Sequence, residues 1–132
     1  MPVWYLDTSA ALKLVAAERE SAALAEAIQA SDARLVATRL LETEMRRAAH
    51  RALALHQDQI TAFLSTLDLY SVTDAVYRQA GLMPGPRLRS LDALHLAAAI
   101  ALDVHAILTY DHRLQQAAAE VGVVALAPGA VG

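Results

Sequence analysis

Val3-Trp4-Tyr5-Leu6-Asp7-Thr8-Ser9 is the stretch that decides the fold. A short run of apolar and aromatic residues suits a strand buried on both faces. Asp, Thr and Ser follow at once, three residue types that favour helix caps and turns. A strand running into a helix start, with an acid at the junction, opens a strand–helix–strand unit. The same alternation recurs along the chain. Short apolar strands are expected at 34–38, 69–72, 106–109 and 123–126. Helices are expected at 10–17, 21–30, 39–54, 60–67, 73–80, 91–102 and 111–121. Ser90 is read as the cap of the helix 91–102, which is apolar nearly all round and therefore buried. Pro84-Gly85-Pro86 forces a loop over 82–89. The pattern predicts an α/β fold: a short parallel sheet covered by helices on both faces.

The chain has 132 residues, of which 56% are hydrophobic and 19% charged, with a formal net charge of −3. This length predicts one domain spanning 1–132, with the last residues, 127–132, fraying. The apolar content excludes disorder. The absence of cysteine excludes disulfides, a thiolate metal site and a cysteine nucleophile. No basic leader precedes the first apolar stretch. The longest uncharged apolar run, 93–102, is well short of the roughly 20 residues that span a membrane. A soluble, cytoplasmic protein without membrane contact is the expectation. The mild acidity by itself does not point to nucleic acid.

In an open parallel sheet, ligands bind beyond the carboxyl ends of the strands. Asp7 follows the first strand, and Thr109 and Asp111 end another. Asp92 lies in the first turn of the apolar helix, and Glu44 lies in the helix after the second strand. Each acid has a plain structural account. Asp7 and Asp111 can cap helices, and Asp92 complements a helix dipole. Glu44 can pair with Arg47 or Arg51 on its own helix. Together the acids suggest more, because an acid in the apolar segment SLDALHLAAAIAL is costly unless paired or bound to a metal. A concave set of carboxylates without a histidine cluster suits a hard cation, Mg²⁺ or Mn²⁺. A Walker loop is absent, and Ser9 stands where a haloacid-dehalogenase-type phosphatase would need a second Asp.

LDTSAAL at 6–12, TRLLETEMRRA at 38–48, LRSLDALHLAAAIAL at 88–102 and LTYDHRLQQAA at 108–118 resemble the PIN-domain ribonucleases. The likeness is strongest to the VapC-type toxins of VapBC toxin–antitoxin systems, and it covers nearly the whole chain. It implies a three-layer α/β/α arrangement with strand order 3-2-1-4-5. It implies that Asp7, Glu44, Asp92 and Asp111 are the catalytic acids that hold Mg²⁺ or Mn²⁺, with Ser9 and Thr109 supporting them. It further implies hydrolysis of RNA, such as tRNA or rRNA, to 5′-phosphate and 3′-hydroxyl ends, and so inhibition of translation. A homodimer and a cognate VapB-type antitoxin are the implied partners. Thr38 stands where the family often has Ser, which keeps the hydroxyl.

Glu42 competes with Glu44 for the second acid. Two residues turn a helix by about 200°, so only one can face the site, and the family spacing favours Glu44. Ten of the eleven basic residues are Arg. Arg46, Arg47 and Arg51 cluster near Glu44, and Arg87 and Arg89 precede Asp92. RNA phosphate contact and ordinary surface ion pairing both account for them. His95 reads as a packed core residue, and no role is assigned to His50, His56, His105 or His112. The alternative function is a PIN-fold binding module that no longer cuts RNA.

Overall fold

The computed structural model describes residues 1–52 and 54–131. Leu53, inside the helix expected at 39–54, and Gly132, inside the expected frayed tail, lie outside the described residues. The strands are β1 (Val3–Leu6), β2 (Arg34–Thr38), β3 (Asp68–Tyr70), β4 (Ala106–Leu108) and β5 (Ala125–Leu126). They form one sheet in the order β3-β2-β1-β4-β5. Every neighbouring pair is parallel, with Tyr5 opposite Val36 on one side and Ile107 on the other. The helices are α1 (Thr8–Val15), α2 (Ser21–Ser31), α3 (Arg39–Ala49), α4 (Gln57–Leu64), α5 (Asp74–Leu82), α6 (Ser90–Ala101) and α7 (His112–Glu120).

Strand alternation divides the core into two layers. Leu6, Ala37 and Leu108 pack with α1–α4 residues such as Leu24, Leu41, Met45 and Ile60. Tyr5, Val36 and Ile107, one position earlier on the same strands, pack on the other face with Leu96 of α6 and Leu114 of α7. Successive strand side chains point to opposite faces, which is why each central strand is apolar throughout. The α/β expectation and its strand order hold.

The boundaries differ in instructive ways. The helix expected to reach residue 54 stops at Ala49, because the chain turns there to bury Leu55. The next helix starts at Gln57 and not Ile60. Its first turn is polar and exposed, so it leaves no mark in the apolar period. Arg39 through Met45 form the part of α3 that positions Glu44. Arg89, not Ser90, is the N-cap residue of α6. Residues 127–130, expected to fray, are tied back instead. The Tyr110 hydroxyl donates to the Pro128 carbonyl at 2.7 Å, and Gly129 lies tight against Ala23. No helix of the described residues is long and apolar enough to cross a membrane.

Candidate active site

The carboxyl ends of the central strands gather polar side chains that the core would otherwise exclude. Among the described residues, the buried polar side chains are Asp7, Thr38, His95 and Thr109. All four lie at this edge: Asp7 after β1, Thr38 at the end of β2, Thr109 after β4, and His95 on α6 above the sheet.

Asp7 is only 5% exposed. It caps α1 by accepting from the Ser9 amide at 3.4 Å. The same oxygen, Oδ2, accepts from the Ser9 hydroxyl at 2.7 Å and the Thr109 hydroxyl at 2.8 Å. Those hydroxyls are themselves held, since Ser9 Oγ accepts from the Tyr110 amide and Thr109 Oγ1 from the Asp111 amide. One carboxylate oxygen is thus fixed by hydroxyls from two distant segments. The other, Oδ1, lies 3.9 Å from His95 Nε2.

His95 Nε2 meets Glu44 Oε1 at 2.5 Å, and His95 Nδ1 shares a hydrogen bond with the Tyr5 hydroxyl at 2.7 Å. The Tyr5 hydroxyl is 3.3 Å from Thr38 Oγ1. Burial disfavours the charged imidazole, but the Glu44 hydrogen bond and the charges of Glu44, Asp7 and Asp92 outweigh it, so its pKa is raised. Burial likewise raises the Tyr5 phenol. Asp92, partly buried, is held above the usual carboxylate range. Burial is the main cause. The carboxylates of Asp111 and Asp7 come next, His95 opposes them, and Glu44 adds to them.

Asp92 thus feels the charges of the other three acids, while His95 stands between Asp7 and Glu44. Glu42 points elsewhere and pairs with Arg39 and Arg46. Asp111 caps α7 by accepting from the Arg113 amide at 2.9 Å. Among the described residues, no three His, Cys, Asp or Glu side chains converge closely enough to enclose a metal ion.

The arginines divide. Arg46 joins α3 to α4, with its guanidinium on Glu42, Gln57 and Thr61. Arg47 and Arg51 are exposed, and Arg89 is exposed at the start of α6. Arg87 lines a cavity beside α7. His95, Tyr5 and Thr38 were not singled out as site residues by sequence reasoning, although spacing carried a signal. Tyr5 and Asp7 share a strand face, and Asp92 and His95 share a helix face at i, i+3.

A parallel sheet of this order, with acids at its carboxyl edge, is the frame of one known class. The PIN domain family model matches residues 4–120, and the chain belongs to that family. Within it, the relatives are VapC-type proteins. Ribonuclease VapC35 of Mycobacterium tuberculosis is 35% identical, over 95% of this chain and 96% of its own length. Ribonuclease VapC47 of the same species is 38% identical, over 96% and 98%. Among solved structures, M. tuberculosis VapC20, described as a sarcin-ricin loop cleaving toxin, superposes with a TM-score of 0.72 at 16% identity. That match covers 95% of this chain and 99% of VapC20. VapBC2 from Rickettsia felis, bound to a DNA fragment from its promoter, gives 0.70 at 12% identity, covering 94% and 97%. At these identities the structural likeness speaks for the fold.

Proposed function

We propose that the protein is the toxin of a type II toxin–antitoxin pair, a ribonuclease that depends on Mg²⁺ or Mn²⁺. The observation that carries this reading is the set of buried polar side chains at one sheet edge. Buried polar groups are costly, and here they stand beside Asp92, whose proton affinity is raised by burial and by the charges of Asp111, Asp7 and Glu44. The donor set is all oxygen, which suits a hard cation. Mg²⁺ usually takes one or two carboxylates and keeps several waters, so it needs no closed cage of acids. Asp7 and Asp92 would hold it directly, and Glu44 and Asp111 through water. When bound, such an ion supplies Lewis acidity and lowers the pKa of a bound water.

The protein's own residues provide the frame. Ser9 and Thr109 fix Asp7 Oδ2 and leave Oδ1 directed to the cluster. His95 and Tyr5 hold Glu44 toward Asp7. In an open parallel sheet the carboxyl edge is where ligands bind, and an RNA phosphate would approach there. The relatives' name, ribonuclease, supports RNA as substrate. The substrate would be tRNA or rRNA; VapC20, described as cleaving the sarcin-ricin loop, is a relative in fold that acts on such a target. The VapBC complexes from R. felis and Haemophilus influenzae support a VapB-type antitoxin as partner. A homodimer would cover exposed apolar residues of α5 and α6, including Tyr77, Leu82 and Ile100. The whole chain acts as one domain in the cytoplasm. Retention of all four acids disfavours the inactive binding module.

The test is cleavage of RNA by purified protein with Mg²⁺ or Mn²⁺, alongside Asp7→Asn and Asp92→Asn. Loss of cleavage in both variants, and in wild type after chelation, is expected. Full residual cleavage by either variant overturns the site assignment.

A further inference from the structure

A cavity of about 670 Å³ opens between the loop 84–88 and one face of α7. Arg87, Pro86 and Leu88 come from the loop wall, and Arg113, Gln116 and Glu120 from the helix wall. The helix residues recur at i, i+3 and i+7, so they form a single stripe. Among the described residues, neither Arg87 nor Arg113 makes an ion pair or a side-chain hydrogen bond. Two guanidiniums from different elements therefore face one space with their donors uncommitted.

The cavity adjoins the proposed catalytic edge. The Arg113 amide is bonded to the Asp111 carboxylate, and the loop leads within one turn of α6 to Asp92. The acid Glu120 stands two turns along α7 from Arg113, about 10 Å away by helical rise. Charge is thus graded along the stripe: cationic near the acids, polar at Gln116, anionic at the far end. A continuous phosphate track would not end on a carboxylate. A single nucleotide fits this gradient, with its phosphate at the arginines, its base against the proline and leucine wall, and its base edge toward Gln116 and Glu120. The volume lies within the range of small-ligand sites, about 300–1,000 Å³.

We propose that this cavity binds one nucleotide of the RNA flanking the scissile phosphate, with Arg87 and Arg113 on the nucleotide's phosphate. The proposal rests on the ribonuclease reading above. It gives a role to Arg113, which stands in LTYDHRLQQAA with none assigned to it, and gives Arg87 a partner.

Binding of a short single-stranded RNA of mixed sequence, followed by fluorescence anisotropy in EDTA, tests it independently of cleavage. The protein pair is wild type and the Arg87→Gln/Arg113→Gln double variant, with Arg19→Gln/Arg78→Gln as a control for lost charge. The double variant is expected to bind about tenfold more weakly, with the slope of log affinity against log salt lower by about 0.7, the value for one single-strand phosphate. Unchanged binding and slope in the double variant overturns the proposal, leaves the cavity to a partner protein, and does not touch the ribonuclease reading. An equal loss in the control pair also overturns it. The expected loss in a protein that cuts no RNA with Mg²⁺ or Mn²⁺ supports the nucleotide site and overturns the ribonuclease reading instead.

Discussion

Asp7 caps α1 with Oδ2 while its Oδ1 lies 3.9 Å from His95 Nε2, so one carboxylate joins the helix start to the proposed site. The cap and the two hydroxyls all use Oδ2. Thr109→Val keeps the shape of the fully buried side chain but removes the bond to Asp7 and the acceptor for the Asp111 amide. A stability loss of about 1–3 kcal/mol is expected from urea denaturation, because a hydrogen bond to a charged group and a buried amide's acceptor are lost together. RNA cleavage should fall in parallel. His95 is the second key residue, since it touches both Tyr5 and Glu44. His95→Leu leaves the buried Tyr5 phenol without that partner, at a cost of about 1–3 kcal/mol, and releases the part-exposed Glu44 carboxylate. Tyr5→Phe in the His95→Leu background should cost less than Tyr5→Phe in wild type. A double-mutant cycle would measure this coupling at roughly 0.5–3 kcal/mol. Strict additivity would show that the two side chains do not act together.

Elements are set by caps and ties as much as by apolar periodicity. Thr73 caps α5, its hydroxyl accepting from the Val76 amide at 3.3 Å. Thr73→Ala should cost about 1 kcal/mol in thermal or chemical unfolding. The tie at the end of the chain is more specific. Gly129 adopts φ +81°, and a Cβ there would meet the Ala23 Cβ at 2.7 Å. Gly129→Ala should destabilise the protein by about 1–3 kcal/mol, through left-handed strain and overpacking against α2. Unfolding midpoints unchanged from wild type would mean that the segment 127–130 is not docked. At this scale the sequence was readable wherever a signal was local. Asp7 and Asp111 were legible as caps because their types and neighbours suffice. The end of α3 and the start of α4 were not legible, because the burial of Leu55 is a tertiary demand and the first turn of α4 is solvated.

The molecule as a whole concentrates like charge at one edge of its sheet. Asp92 is pushed toward its protonated form there, first by burial and then by the charges of Asp111, Asp7 and Glu44. A divalent cation binding only the folded protein would relieve that repulsion and raise the melting temperature. The expected stabilisation is about 2.7 kcal/mol at a hundredfold excess over Kd. Asp7→Asn/Asp92→Asn should lose this response to Mg²⁺ or Mn²⁺, and an undiminished shift would move the ion elsewhere. The net charge of −3 then describes a chain whose acids are partly gathered at one site, not a surface hostile to RNA. The alternation of apolar strands with capped helices indicated the α/β class from sequence alone, and the resemblance to the PIN-domain ribonucleases singled out Asp7, Glu44, Asp92 and Asp111. These signals are local and survive without knowledge of neighbours. Tertiary packing alone joins Glu44 to Tyr5 through His95, commits Arg46 to α4, and sets Arg87 and Arg113 on one cavity. Those pairings join residues far apart in sequence, and they depend on how parallel strands and their helices stack, which no local pattern encodes.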